Sequence, residues 1–590
     1  MSTNRNSKEL YELEREINRL PKGNITVKKI KEKNYFYYRE NINGKRHEKY
    51  VDFKDVDNLK KEISKRKELE SKLKLASNKN TNIDTNYKTI VRRGEQLKEQ
   101  ISIAKDYRKR FCFKDIYEFI NDKNTNKVLI LYGLRRTGKT ILIYQTINEL
   151  ADTDFDKTVY VQVQSHNTLS DLNSDLKKLE KQGYKYVFID EVTLVNDFID
   201  GAAIFSDIYA SSGMRIVLSG TDSLGFAIAE TEQLYDRSIM IHTTFISYKE
   251  FEGVLGIKGI DEYIRYGGTM SLSGENYNDT SIFSSLKSTN EYIDTAIAKN
   301  IQHSLKLYQD AGHFRKLFDL YEKGELTNVI NRVVESINHS FTKSVIERTF
   351  YSHDLHLSAS NLLRDKKRPI DIKEHIDIDS VTELIKKILN ILNKEEQVID
   401  IEDDHMKQIK EYLYLLDLIC DIDLLYLPET NSNDKLTVIT QPGLRYAQAC
   451  AILEAVIMDG NFKELSIVDR NHILSRIKSE ICGRMMEEIV LFETKIANPK
   501  KEVYKLQFSI GEIDMVVYDP NTISCSIYEI KYSKECVKEQ FRHLIDNNKC
   551  ELIEHRFGPI TNKYVIYRGN KTEIDGIEYI NVEMYLKGLI

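Results

Sequence analysis

Eight consecutive residues, Gly133-Leu134-Arg135-Arg136-Thr137-Gly138-Lys139-Thr140, hold glycine, glycine, lysine and threonine at the spacing that cradles a nucleotide phosphate. Gly133 and Gly138 let the backbone curl, so that the N–H groups of the loop, those of Arg136 and Thr137 included, aim at phosphate oxygens. Lys139 has the reach for the β- and γ-phosphates, and the Thr140 hydroxyl suits magnesium. The apolar run Val128–Tyr132 precedes the loop, and ILIYQTINEL, with apolar positions at helical spacing, follows it. A strand, a loop and a helix are therefore expected, with the phosphates at a helix N-terminus where orphan N–H groups favour anions. ATP and Mg2+ are the cofactors this implies.

Hydrolysis needs more than binding. YVFIDE puts Asp190 at the end of an apolar strand with Glu191 directly after it. An aspartate there holds magnesium through water, and the adjacent glutamate orients and deprotonates the attacking water. A strand that merely ends in an acidic turn reads the same way. Ser219 closes the next apolar strand, with Thr221 and Asp222 behind it; one of them is a candidate γ-phosphate sensor, and each is equally suited to capping a helix. Arg237 is a candidate for stabilising transition-state charge, from the same or a neighbouring subunit.

A second constellation lies near the C-terminus, in YKLQFSIGEIDMVVYDPNTISCSIYEIKYSK. Glu529 and Lys531 are two residues apart, so a strand places them on one face, and a hairpin at DPN brings Asp514 alongside. Glu487, on the helical segment GRMMEEIVLFE, can add a carboxylate. Such a set can hold Mg2+ or Mn2+, with the lysine positioning water or stabilising charge on a phosphodiester. The alternative is a solvent-facing salt bridge.

Strands TVYVQVQ, YVFID, RIVLSG and SIMIHTTF, separated by helical stretches, imply a parallel sheet covered on both faces. The expected fold class is α/β: a parallel-sheet P-loop ATPase core over 91–250, a helical region over 251–395, a winged-helix-like region over 396–470 and a C-terminal α/β domain over 471–590. Residues 1–76 form a small basic α+β module and 77–90 a polar linker. In that module a helix is expected over 7–20, a hairpin turn at Asn43-Gly44 and a charged helix from Val56 to Leu75. Lys28, Lys29, Lys31, Lys33, Arg39, Lys45, Arg46 and Lys49 are interleaved there with Tyr35, Phe36, Tyr37 and Tyr38. Phosphate contact with base stacking is one reading, which makes DNA a partner, and a solvated basic face is the other.

At 590 residues the chain exceeds a single core, and 41% hydrophobic with 30% charged residues is a soluble composition. The most apolar segment, LYLLDLICDIDLLYL from Leu413, is interrupted by Asp417, Asp421 and Asp423, so no membrane span is expected. The N-terminus lacks a signal-peptide core, and the seven cysteines are scattered singly, which suits reduced thiols in the cytoplasm. Net charge of −5 identifies no partner.

GLRRTGKT, FIDEV, VLSGTDS, Arg237, ISYKEF and YIRYGGTM together resemble the archaeal-type P-loop ATPases related to AAA+ and STAND proteins. The C-terminal motifs GRMMEE, GEIDMVV and YEIKYS resemble the helix and catalytic strands of PD-(D/E)xK nucleases. That resemblance implies metal-binding and catalytic places for Glu487, Asp514, Glu529 and Lys531, with Gln540 as an accessory. The reading is a cytoplasmic ATPase with a nuclease-like domain acting on or near DNA. Its rival is an ATP-controlled switch whose C-terminal fold binds a protein partner without cutting. Neither fixes the oligomeric state.

Overall fold

The computed structural model describes Pro21, most of residues 24–66, residues 87–301 apart from 123–124, 196, 271–281 and 299, four single positions (317, 320, 330 and 333), and residues 403–589 apart from 429–433 and 459. The expected helix over 7–20, the Asn43-Gly44 turn, most of the linker and nearly all of the helical region beyond 301 lie outside the described residues.

The chain divides into two compact units, 1–91 and 92–590. The first is built on an antiparallel sheet of β1 (Asn24–Ile30), β2 (Lys33–Ile42) and β3 (Lys45–Val51), with Ile42 paired to Lys45. Its register sorts the basic residues. Lys28, Lys33, Arg39 and Arg46 share a face with Tyr35 and Tyr37, whereas Lys29, Lys45 and Lys49 fall on the face of Phe36 and the buried Val51.

The second unit contains two sheets. In the first, β4 (Val128–Tyr132), β5 (Thr158–Gln162), β6 (Tyr186–Asp190), β7 (Arg215–Gly220) and β8 (Ser238–His242) run parallel in the order β5-β6-β7-β4-β8. Val128–Leu131, Val159–Val161, Val187–Ile189 and Ile216–Leu218 are wholly or almost wholly buried, as continuous apolar strands covered on both faces must be. Helix α1 (Lys139–Asn148) follows β4 and α2 (Leu169–Lys181) follows β5, the latter opened by a Thr168–Asp171 capping box. Helix α3 (Ser223–Glu232) follows β7, and α4 (Tyr248–Leu255) and α5 (Ile260–Tyr266) follow β8.

Helices α6 (Asp403–Leu415), α7 (Pro442–Met458) and the 31-residue α8 (Ile467–Ala497) accompany the second sheet. It comprises β9 (Ile419–Leu427), β10 (Lys435–Ile439), β11 (Glu502–Phe508), β12 (Glu512–Asp519), β13 (Ser524–Lys531), β14 (Ile560–Tyr567), β15 (Thr572–Ile574) and β16 (Ile577–Asn581), in the order β10-β9-β11-β12-β13-β14-β16-β15.

Two expected boundaries fall differently. The hairpin read as part of a winged-helix-like region joins the C-terminal sheet, because β9 pairs in parallel with β11 from Asp423–Tyr504 to Leu427–Phe508 and buries Leu427 beside Leu506 and Phe508. A division at residue 250 would cut a shared core. Ile246, Tyr248, Phe251, Tyr263 and Ile264 pack with Ile477, Ile481, Met485 and Ile489 of α8, so the helices after β8 belong as much to the second sheet as to the first.

Candidate nucleotide site and a second acidic site

Parallel strands end together, so the order β6-β7-β4 brings Asp190, Ser219 and Gly133 to one edge of the first sheet. Gly133 (φ 141°) lies so close to β8 that a Cβ there would fall 2.7 Å from Thr243 Oγ1. Gly138, at φ 90°, starts α1. Lys139 Nζ donates to the loop's own carbonyls, Gly133 O and Leu134 O, at 2.9 Å each. Burial pushes its ammonium down to about 8, against the opposite pull of Glu191 and Asp190. A phosphate supplies the charge that this buried cation lacks.

Asp190 collects hydroxyls. Its Oδ2 accepts from Thr140 Oγ1 at 2.9 Å and from Tyr160 OH at 2.7 Å, and its Oδ1 accepts from Ser219 Oγ. Thr140 and Asp190 are thus in contact, as a shared magnesium shell requires. Glu191 follows with φ 58°, a left-handed conformation that is strained for a glutamate. Arg136 in the loop is left-handed too, at φ 67°, and its carbonyl accepts from Met270 N–H at 2.9 Å. Asp222 caps α3 through Gly225 N–H at 2.9 Å, which resolves its two readings toward the cap.

Arg237 does not join this site. Its carbonyl accepts from the N–H of Val128, the first residue of β4, whereas the loop begins beyond Tyr132, the last. At about 3.3 Å per residue the two lie about 16 Å apart along the strand. A residue just before a parallel strand sits at the opposite edge from one just after it. Its guanidinium pairs with Asp207 at 3.0 Å, in an open cleft of about 620 Å³ that Lys127 and Asp236 also line.

One residue that the sequence reading missed stands behind the loop. Arg110 is almost fully buried; NH1 donates to Thr137 O (2.7 Å) and Thr243 O (2.8 Å), NH2 to Phe245 O (2.9 Å) and Glu250 Oε2 (2.8 Å), and Nε to Glu250 Oε1 (2.9 Å). Its partners lie 27 to 140 positions away, so no local pattern announces it.

In the second sheet, Asp514 of β12 and Glu529 and Lys531 of β13 meet. Lys531 Nζ donates to Asp514 Oδ2 at 2.9 Å and to Glu529 Oε2 at 2.5 Å, and Ile530 N–H donates to Asp514 Oδ2 at 2.7 Å. All three are buried, so this is not a solvent-facing salt bridge. Burial holds the Glu529 carboxyl well above its usual range despite the pull of Lys531, and Asp514 adds to the rise. Burial alone would lower Lys531, but Asp514, Glu529 and Glu487 outweigh it and keep the ammonium charged.

Glu487 on α8 reaches the same place, where ligand-capable oxygens of Glu487, Glu512 and Asp514 lie within 4.8 Å of one another. Two cations offset part of this charge: Lys505 Nζ stands 3.3 Å from Glu487 Oε2 and 3.4 Å from Glu512 Oε2, and Arg484 NH1 donates to Glu487 Oε2 at 2.8 Å. Glu512 was overlooked, although its place two residues before Asp514 on one strand put it on the same face. A divalent ion fits the donor set, which consists of the carboxylates of Glu487, Glu512 and Asp514; beside it Glu529 Oε1 is buried with no hydrogen-bond partner among the described residues. Gln540 serves the loop backbone instead, donating to Glu535 O at 3.0 Å and accepting from Val537 N–H at 3.2 Å.

Helix α5 and the residues just after it contact the neighbourhood of both sites. Asp261 accepts from Tyr532 OH at 2.5 Å, next to Lys531, and pairs with Arg568. Tyr263 OH and Tyr248 N–H each donate at 2.8 Å to Glu493, six residues along α8 from Glu487. Burial pushes the Glu493 carboxyl up to about 8. Beyond α5, Met270 N–H meets the phosphate loop at Arg136 O.

Residues 125–252 match the AAA domain family, and residues 5–61 match a domain of unknown function, DUF6788. The first match spans the phosphate loop and the Asp190–Glu191 pair, so this part of the chain is similar to AAA-type ATPase domains, which supports ATP binding and hydrolysis with Mg2+. An uncharacterised protein of Methanocaldococcus jannaschii is 23% identical over 244 residues, covering 38% of this chain and 53% of the relative, so the match spans about half that relative's length. Among solved structures, the S. cerevisiae Hsp104:casein complex has 13% identity over 56% of this chain and 54% of its own, with a TM-score of 0.23. Aeropyrum pernix ORC1 in complex with DNA has 12% identity, 62% and 97% coverage and a TM-score of 0.22. A DNA polymerase III γ subunit-related protein of Thermotoga maritima has 11% identity, 52% and 91% coverage and a TM-score of 0.19. Those TM-scores are too low to bear on function. Among the described residues, no helix is long and apolar enough to cross a membrane.

Proposed function

We propose that the chain is an ATPase that also cuts DNA through a divalent-metal site on its second sheet, in the manner of PD-(D/E)xK nucleases. In the ATPase half, the loop N–H groups and Lys139 take the phosphates, and Thr140 and Asp190 hold magnesium. Glu191 accepts the proton of the water that attacks the γ-phosphorus, and ADP departs with the bridging oxygen. Ser219 reports the γ-phosphate to Asp190 through its hydroxyl. Arg237 reaches a nucleotide only if that nucleotide belongs to a neighbouring subunit, so its role belongs to an oligomer.

The observation that carries the nuclease reading is the buried Asp514–Lys531–Glu529 contact beside Glu487 and Glu512. Glu487, Glu512 and Asp514, with Glu529 at their side, are the residues that would hold Mg2+ or Mn2+. The ion would supply Lewis-acid activation of the phosphodiester and its water. Lys531, kept charged by its neighbours, stabilises negative charge on the phosphate and does not act as the base. The basic face of the N-terminal sheet, where Lys28, Lys33, Arg39 and Arg46 accompany Tyr35 and Tyr37, contacts DNA without regard to sequence. All seven cysteines are free thiols, as suits the cytoplasm.

The rival reading, an ATP-controlled switch whose C-terminal fold binds a partner, draws on α5. Its contact with Tyr532 through Asp261, and the bond from Met270 N–H to Arg136 O a few residues beyond it, give nucleotide state a route to the second site. Incubation of the purified protein with plasmid, with and without ATP, Mg2+ and Mn2+, separates the two. Metal-dependent nicking supports the nuclease, and intact DNA under every condition leaves the switch.

A further inference from the structure

We infer that Arg110 is a positioning residue for nucleotide, acting through the Thr137–Gly138 peptide of the phosphate loop; the inference rests on the ATP-binding reading above. A phosphate loop binds anions because its N–H groups face inward, which requires its carbonyls to face outward and be satisfied there. The loop carbonyls are held in several ways: Arg136 O accepts from Met270 N–H at 2.9 Å, and Leu134 O accepts from Thr137 Oγ1 at 2.9 Å. Gly133 O and Leu134 O also accept from Lys139 Nζ, an ammonium on a flexible stem that has a third N–H donor to offer a phosphate. Thr137 O accepts from Arg110 NH1 at 2.7 Å, and Arg110 is not free to move.

Its guanidinium is fixed on every side: the Glu250 carboxylate takes it in a two-point fork at 2.8 and 2.9 Å, and the carbonyls of Thr243 and Phe245 take further donors. In a planar trans peptide the C=O and the following N–H point in opposite directions. Pinning Thr137 O from behind therefore aims the Gly138 N–H into the loop, at the N-terminus of α1. Gly138 is held at φ 90°, and the Arg110 Cδ lies 3.7 Å from where a Cβ on Gly138 would be, so the arginine packs against the residue it orients. Glu250 neutralises the arginine. Arg110 thus contributes direction to the phosphate site rather than net charge, which distinguishes it from Lys139.

The interaction exists whether the bound phosphate is in its ground or transition state, so its loss should raise KM and Kd for ATP and leave kcat nearly unchanged. A residue that served only to hold the fold would lower the active fraction, and so apparent kcat, at constant KM. The test is calorimetric ATP binding and steady-state hydrolysis on the full chain carrying R110M/E250Q. This pair removes both buried charges together and leaves a side-chain oxygen for the Phe111 N–H, which Glu250 now accepts at 2.9 Å. Kd and KM should both rise about tenfold or more, with kcat within about threefold of wild type and the binding stoichiometry unchanged. R110K serves as the conservative partner: it keeps the charge but cannot span Glu250 and three carbonyls, so it should show the same KM-selective loss, smaller in size.

Wild-type protein that fails to bind ATP sinks the ATP-binding reading itself. Wild type that binds, with a folded R110M/E250Q within twofold of its Kd and KM, overturns the role of Arg110 alone. So does a fall in kcat at constant KM, or loss of cooperative melting in both variants, which would assign Arg110 to the fold.

Discussion

The two candidate sites solve opposite problems. The candidate nucleotide site is made mostly of backbone, eight consecutive residues whose N–H groups would do the binding, and its one loop ammonium is buried and depressed to about 8. The second site is made of side chains from α8, β11, β12 and β13, in which Glu487, Glu512, Asp514 and Glu529 are balanced by Lys505, Lys531 and Arg484. The first lacks negative charge until a ligand brings it. The second is already neutralised, so an ion has to compete with resident cations. Binding at the first should therefore depend on loop geometry, and binding at the second on displacing lysine or arginine.

If the two sites are independent, each should be silenced without the other. Lys139→Ala should weaken ATP binding by about a hundredfold or more, because a buried charge-assisted contact to phosphate is lost. Glu191→Gln should leave ATP bound but lower turnover by about a hundredfold or more, since an amide cannot take the proton of the attacking water. Calorimetry and phosphate release read these out. An E191Q protein that hydrolyses ATP at the wild-type rate removes Glu191 from the reaction.

Competition at the second site is sharpened by Lys505→Met. Deleting the cation between Glu487 and Glu512 should raise Mn2+ affinity about tenfold, in keeping with the cost of a neighbouring like charge. Unchanged affinity in a manganese titration would show that Lys505 does not occupy the ion's place.

A smaller effect tests the buried seam between the sheets. Glu493 keeps its proton up to about pH 8 in the folded state, while its unfolded value is near 4.5. The folded state therefore binds more protons between these values, and stability falls as pH rises from about 4.5 to about 8, by an amount on the order of 1–4 kcal/mol. Glu493→Gln, an uncharged isostere that still accepts from Tyr248 N–H and Tyr263 OH, should flatten this slope and raise Tm most at pH 8. A variant whose melting follows the wild-type pH dependence would place the proton elsewhere.

What could be read from sequence follows the same contrast. The phosphate loop was legible because backbone recognition demands glycines at fixed spacing within one short segment, and strands 186–190 and 215–220 were legible because burial on both faces makes them largely apolar. Asp514, Glu529 and Lys531 were reachable through period-two spacing across a hairpin. Lys505, Arg484 and Arg110 were not, because their partners depend on which strands and helices become neighbours. For a related reason sequence could not choose between the same and a neighbouring subunit for Arg237: nearness to a strand in sequence does not say at which end of the sheet a residue sits. The hairpin at 419–439 looked like a separate module until its parallel pairing with β11 was known.

The most direct test of a second, metal-dependent site is plasmid cleavage by wild type, D514N and K139A side by side, in Mg2+ and in Mn2+, with ATP hydrolysis followed in the same tubes. Asp514→Asn removes a charge and a ligand from the acidic cluster, so cleavage should disappear while ATP hydrolysis stays within about twofold of wild type. Cleavage by D514N at the wild-type rate, or no cleavage by wild type under any metal and nucleotide condition, would contradict the account.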